Sequence, residues 1–525
     1  MIMSKGPTSV LRSAAKVAGG TAVSRVAGLV RDILMARTFG TSLEGSAFVV
    51  AFRIPNLFRK LFGEGALSSA FIPAYAEAIV RGGREEGERL LAKTAGFVIA
   101  VLGIIAALGI LATFPLQAWL ASTERFATIM PLLRIMLPYA PLICVAAIAM
   151  GALNVMKSFW VPALAPALLN VVLIIVLVGV CPFIDGGLGF KIRVVAWAIL
   201  VAGVAQALFQ IVALRRLGVC LIPDFKWRGD PVVRKVLQRA MPLALASGVL
   251  QVNVCIDSFL AMWAGEWAPA ALEYADRLVY LPLSLVGTAF ATVLLPTFSN
   301  QVATDGSDDI TTTLERALRN IVVMMTPATI GLFVLAAPLV KMIYQSRGGE
   351  FDEMSILYCA RALAGYAPGL LIFCFHKAIT PTYYALGDTV TPVRISLVAV
   401  ALNLTMNIIF VLTWPAGWKH VGLAVATVLS SLFSVILLIA MLRKRGCSLR
   451  MRSILITAAG ALAASGVMAV GAYFTHKAVA GILTEIGKVG EIAAVGSAMV
   501  TAVAVYGVLA WVLCRNGVRE LFRRE

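Results

Sequence analysis

Residues 24–37 read SRVAGLVRDILMAR. The run is mostly apolar, as a helix crossing a hydrocarbon core must be, yet it carries Arg25, Arg31, Asp32 and Arg37. At about 100° per residue, Arg25 and Asp32 return almost to one helical face, and Arg31 lies about 100° from Asp32. The polar stripe is therefore broad but one-sided. A charge at bilayer depth costs several kcal/mol unless it is paired or wet. The stretch predicts a membrane helix with one face turned to a polar chamber, and the fold class follows from it: an all-α polytopic membrane protein.

The rest of the chain agrees. Of 525 residues, 60% are apolar and 14% charged, with a mean hydropathy of +0.90; a soluble domain is about half apolar and about a quarter charged. Apolar runs of roughly 20 residues, the length needed to span a bilayer, recur from end to end. The short alternating segments of a β-barrel are absent from the sequence. About 14 transmembrane helices are expected, centred near residues 27, 63, 103, 142, 171, 204, 250, 287, 327, 365, 401, 431, 462 and 502. The first, second and eighth carry charges and should score weakly on hydropathy.

The net charge of +18 sits mostly in alternate connections, among them Arg81, Arg84, Arg89 and Lys93, then Arg215 to Arg239, then Arg443 to Arg452. The positive-inside rule then places both termini in the cytoplasm. Residues 301–315, acidic through Asp305, Asp308 and Asp309, are the exception. No basic run is interleaved with aromatics, so nucleic acid is not an expected partner. The eight cysteines form no C-x-x-C pair and read as small core residues. His376, His420 and His476 have no metal-ligand spacing and read as interfacial or loop residues.

The chain also matches itself, its second half repeating landmarks of the first in the same order and at a near-constant offset. R-I-P-N-L…F-I-P-A-Y, from Arg53 to Tyr75, parallels R-L-V-Y-L…L-L-P-T-F, from Arg277 to Phe298. Pro138–Pro141 parallels Gly365–Pro368, Pro162 parallels Pro392, and Leu169-Asn170 parallels Leu402-Asn403. Six helices per repeat is an even number, so both halves enter the membrane in the same direction. The expected organisation is an N-lobe over 1–230 and a C-lobe over 231–450 around a central cavity, with two further helices over 451–525. That is a transporter architecture. No filter-like loop of a channel is evident.

Helix 2 adds Arg53, Arg59, Lys60 and Glu64 to the charged stripe, and helix 8 adds Asp276 and Arg277. Cations outnumber anions here. A guanidinium cluster in a wet cavity suits a dianionic ligand such as pyrophosphate, because Arg bonds phosphate oxygens bidentately. Structural ion pairing, or snorkelling of Arg37, Arg59 and Lys60 to an interface, is the competing reading. Asp257, four residues after Asn253, together with Asn403, Asn407 and Thr427, offers oxygen ligands for Na+; interhelical hydrogen bonding by buried amides competes.

At these residues the sequence resembles the MurJ (MviN) family of lipid II flippases, in the multidrug/oligosaccharidyl-lipid/polysaccharide exporter superfamily. The matching text is S-R-V-A-G-L-V-R-D at 24–32, F-R-I-P-N-L-F-R-K-L-F-G-E-G-A-L-S-S-A-F-I-P at 52–73, P-A-L-A-P-A-L-L-N at 162–170 and Y-A-D-R-L at 274–278. The resemblance implies 14 helices and movement of a lipid-linked cell-wall precursor, of the undecaprenyl-pyrophosphate type, from the inner to the outer leaflet of the bacterial cytoplasmic membrane by alternating access. It implies head-group contacts by Arg25, Arg31, Arg53 and Arg277, with Asp32, Arg59 and Glu64 also at functional family positions. It implies a groove for the lipid tail in the two C-terminal helices, and a sodium site in some members. Two departures stand out: Ser46 and Tyr280 occupy places where many members have a carboxylate.

The rival functions are a cation-coupled drug exporter, or an exporter of another polyprenyl-linked oligosaccharide, from the same superfamily. A membrane enzyme acting on polyprenyl pyrophosphates would want Mg²⁺-binding carboxylates, for which only Asp305, Asp308 and Asp309 offer themselves. No Ser-His-Asp set, paired carboxylates or nucleotide loop is seen. The reading is therefore a monomeric transporter, not an enzyme, bound to membrane lipids and driven by an ion gradient or membrane potential, with no cofactor beyond a coupling Na+.

Overall fold

The computed structural model describes residues 7–63, 66–119, 123–304, 307–483 and 487–514. The chain divides into two compact units, Met1–Met262 and Trp263–Glu525.

The first unit runs α1 (Pro7–Phe39), α2 (Leu43–Phe58), a π-helical turn (Arg59–Gly63), α3 (Ala66–Trp119), α4 (Glu124–Ala127), α5 (Ile129–Met136), α6 (Tyr139–Val155), α7 (Trp160–Gly179), α8 (Leu188–Arg216) and α9 (Pro231–Ala264). The second runs α10 (Ala268–Pro282), a π-helical turn (Leu283–Gly287), α11 (Thr288–Ala303), α12 (Ser307–Val334), α13 (Ala336–Tyr344), α14 (Glu353–Tyr366), α15 (Gly369–Ala385), α16 (Val390–Thr413), α17 (Lys419–Lys444), α18 (Met451–Leu483) and α19 (Lys488–Leu513). Long α3 bends where Gly83 takes φ 72° and ψ −163°.

Among the described residues, nine helices are long and apolar enough to cross a membrane, or up to eleven if each of two bent pairs is one span. The bent pairs are α4–α5 with α6, and α14 with α15. Helix α1 is not among the nine, because Arg25, Arg31 and Asp32 interrupt its apolar run. Helix α10, expected to score weakly, lies in the stretch Ala268–Ala303, which passes.

The helix ends show why the chain breaks where it does. Ser42 opens α2 by accepting from the Gly45 amide at 3.2 Å, and Asp352 opens α14 through Ser355 at 2.8 Å. The connections α6–α7 and α15–α16, at matching places in the two repeats, close in the same way. Ser158 N donates to Leu153 O and Lys157 N to Asn154 O; Asp388 N donates to Tyr383 O and Gly387 N to Tyr384 O. Each is a Schellman cap with its C′ residue at positive φ, 62° at Lys157 and 76° at Gly387. The repeat read from prolines thus extends to backbone geometry. Buried tyrosines find carbonyl partners: Tyr344 bonds Tyr274 O at 3.1 Å and Tyr383 bonds Leu438 O at 2.6 Å.

In the first unit the connection from α8 to α9 lies against α3. Asp224 N donates to Ala92 O at 2.9 Å, Trp227 meets Phe97 edge-on at 4.9 Å, and Lys93 Nζ bonds Asp230 Oδ2 at 2.6 Å. The absence of a side chain at Gly96 makes this possible, since a Cβ there would stand 2.0 Å from Asp224 O. Burial pushes the Asp230 carboxyl up, but the Lys93 bond and the amides of Val233 and Val232 outweigh it and hold it below the ordinary carboxylate value. In the second unit Arg445 pairs with Asp388 at 2.5 Å, joining two connections. Cys220 is exposed and Cys255 half-buried, while the other six cysteines are buried.

Candidate functional site

In the first unit the expected cations lie on α1, α2 and the π turn. Arg25 is exposed on α1. Arg31 is not: its side chain is 16% accessible, and that of Asp32 is 14%. Arg31 Nε and one terminal nitrogen both donate to Asp32 Oδ1, at 2.9 and 2.6 Å, and its other terminal nitrogen donates to Asn170 Oδ1 at 2.9 Å. A guanidinium has five N–H groups. Three are committed here, leaving two directions for a ligand. Arg53 and Lys60 are half-buried. Arg59 is too, with Nε fixed on Asn56 Oδ1 at 2.7 Å. Arg53 O takes the Cys255 thiol of α9 at 3.8 Å. Glu64 lies outside the described residues.

In the second unit Arg277 is 44% accessible and donates to Glu273 Oε1 at 2.7 Å, one helical turn back; Asp276 is half-buried beside it. The sequence reading left out Glu273. Its i,i+4 spacing to Arg277 was the signal that would have found it. Lys377 was missed as well. It sits on α15 with its Cδ 3.2 Å from where a Cβ on Gly287 would stand, so a cation meets the second π turn.

The four residues suggested for Na+ fall in both units. In the first, Asn253 Nδ2 donates to Asp257 Oδ2 at 3.2 Å. In the second, Asn407 Nδ2 donates to Asn403 Oδ1 at 3.1 Å, both residues buried, and the Thr427 hydroxyl donates to Leu423 O in its own helix. Among the described residues no three His, Cys, Asp or Glu side chains cluster as metal ligands. His420, expected at an interface or loop, is buried with its Nε2 3.1 Å from Tyr358 O.

These features define a multi-pass helical membrane protein that carries guanidinium groups on its membrane-spanning elements, each unit holding at least one against a carboxylate. Residues 35–488 match the family described as Lipid II flippase MurJ. The chain belongs to that family.

Its relatives include the lipid II flippase MurJ of Burkholderia cenocepacia, 34% identical over 83% of this chain and 84% of the relative. The probable lipid II flippase MurJ of Rhizobium tropici is 31% identical over 96% of this chain and 94% of its own. A solved structure of a lipid II flippase MurJ in an inward closed conformation superposes with a TM-score of 0.75, covering 97% of this chain and 99% of that one at 24% identity. An inward-facing multidrug resistance MATE family transporter of the MOP superfamily gives 0.62 at 18% identity, over 80% of this chain and 94% of that one. Both share the fold.

Proposed function

We propose that this chain carries lipid II from the inner to the outer leaflet of the cytoplasmic membrane by alternating access, acting as a monomer with both termini in the cytoplasm and 14 spans. It does so as a transporter and not as an enzyme. The lobes run over 1–230 and 231–450, and residues 451–525 supply the groove for the polyprenyl tail. Family membership supports the substrate. The observation that carries the mechanism is Arg31, largely shielded from solvent, held along one edge by Asp32 and Asn170 and with two N–H directions left over. A diphosphate presents paired oxygens that fit such a fork. Arg25, Arg53, Arg59 and Arg277 add positive charge for the same head group, and Asp32, Glu64 and Asp276 limit it.

Transport then draws on an ion gradient or the membrane potential. Asp257 is the carboxylate through which Na+ would act, so Asp257→Asn should abolish sodium dependence; equal dependence in the variant would exclude it. The decisive experiment labels lipid-linked precursor in the outer leaflet of cells with and without this protein. Depletion should remove the labelled pool, and an unchanged pool would overturn the proposal.

A further inference from the structure

We infer that Asn170 is a positioning residue, whose carboxamide sets the plane of the Arg31 guanidinium for the phosphates of the lipid-linked substrate; this rests on the flippase reading above. Helices α1 and α7 meet along a close seam. Gly20, Ser24 and Gly28 recur every fourth residue on α1, the small-residue ladder that lets membrane helices approach closely. A Cβ on Gly20 would stand 2.9 Å from the Ala163 Cβ, and one on Gly28 would stand 3.6 Å from Asn170 Nδ2. Asn170 is thereby brought onto the backbone of α1, 6% exposed.

Its two polar atoms do different things. Nδ2 donates to Ser24 O at 3.1 Å, and Oδ1 accepts from Arg31 at 2.9 Å. Arg31 can only donate and Ser24 O can only accept, so the amide has one orientation that satisfies both. An amide that merely glued two helices together would have no need of the Arg31 bond.

The consequence concerns Arg31 itself. Asp32 binds Nε and one terminal nitrogen through a single oxygen, which leaves the guanidinium free to tilt about that edge. Asn170 holds the opposite terminal nitrogen. With three points fixed, the remaining N–H groups have set directions before a ligand arrives, and less conformational freedom is lost on binding. Without Asn170 the guanidinium swings about the Asp32 edge, its outer terminal nitrogen is released, and its remaining N–H groups have no preferred direction. Asn170 therefore acts through Arg31, with no requirement that it touch the substrate.

The test uses the full chain in lipid nanodiscs. In the first arm, phenylglyoxal modification of Arg31 is followed by peptide mass mapping without substrate. Asn170→Leu should speed modification several-fold. In the second arm, binding of lipid II, of a polyprenyl monophosphate and of a phosphate-free polyprenol is measured for wild type, Asn170→Leu, Arg31→Lys and the double variant. Asn170→Leu should weaken lipid II binding about tenfold. On the Arg31→Lys background it should cost little more, because both changes remove one interaction. Should Asn170→Leu fail to insert, Asn170→Gln keeps the amide but moves it by a methylene and should show the same dependence on Arg31. Unchanged Arg31 modification, or losses that simply add, overturns the positioning role. Wild-type protein that binds lipid II no better than the phosphate-free polyprenol overturns the flippase reading, while the modification arm still decides whether Asn170 fixes Arg31.

Discussion

Helices α2 and α10 each end in a π-helical turn, Arg59–Gly63 in the first unit and Leu283–Gly287 in the second, at matching places in the repeat. Each turn meets a buried cysteine, and the two cysteines lie on corresponding helices, α6 and α15. The Cys144 thiol bonds Phe58 O at 3.6 Å, and Cys374 Sγ lies 3.4 Å from where a Cβ on Gly287 would stand. The π turn is a rare element found often at functional sites, and here it is present in both halves. Its chemistry is not shared. The first turn opens with Arg59 and Lys60, the second with Leu283 and Ser284. Duplication has kept the backbone device and concentrated the cations in the first unit, where Arg25, Arg31, Arg53, Arg59 and Lys60 all lie. In the second unit Arg277 is tied to Glu273, and Lys377 reaches the π turn from α15 and not from the turn itself.

If that asymmetry reflects an anion held mainly by the first unit, the largest effects should come from removing its cations. Arg25→Ala should abolish complementation of a flippase-depleted strain while the protein still inserts; normal growth would count heavily against the assignment. Giving the first turn the residues of the second, Arg59→Leu with Lys60→Ser, should leave insertion intact and cut precursor labelling at the outer leaflet about tenfold or more, the scale of one lost charge-assisted contact.

The next effect in size concerns stability. Lys93→Met leaves Asp230 without its ammonium partner in a site where both side chains are nearly covered, 10% and 13% accessible. The loss should be about 3 kcal/mol, measured by thermal or denaturant unfolding in detergent. The Asp230 carboxyl lies below its ordinary value in the folded chain. Its contribution is therefore complete above the unfolded carboxylate value, about 3.9, and fades as pH falls through the lower folded one. The gap between wild type and Lys93→Met should accordingly be widest near neutrality and close in acid.

The smallest effect tests the shared caps. Lys157 occupies the positive-φ position that Gly387 fills in the second unit. A non-glycine residue there costs about 1–2 kcal/mol, part of which glycine returns as unfolded-state freedom. Lys157→Gly should stabilise by about 0.5–1 kcal/mol, and a destabilised variant would mean that the Lys157 side chain has a role of its own.

Much of this was legible in the sequence. Apolar runs placed most helices, and prolines at near-constant shifts exposed the duplication, because those signals are local or periodic. The Arg25–Arg31–Asp32 stripe was legible for the same reason. Asn170 could be seen as text matching the family, but not as the partner of Arg31, which lies 139 positions away. The π turns leave no periodic trace, since one extra residue in a helix looks like any other. The span count was blurred by α1, whose charges hide it from hydropathy for the same reason that they interest a transporter. Glu273 was legible by the same local logic, since it stands one helical turn from Arg277.

The distribution of cysteines has a practical consequence. Cys220, in the connection after α8, is the thiol that water can reach, whereas seven others are wholly or partly enclosed. The native chain therefore already contains a handle for a single probe. A bulky, membrane-impermeant maleimide applied to intact cells should spare it and should tag it in inverted vesicles, so the sidedness of the whole array can be read without altering a residue.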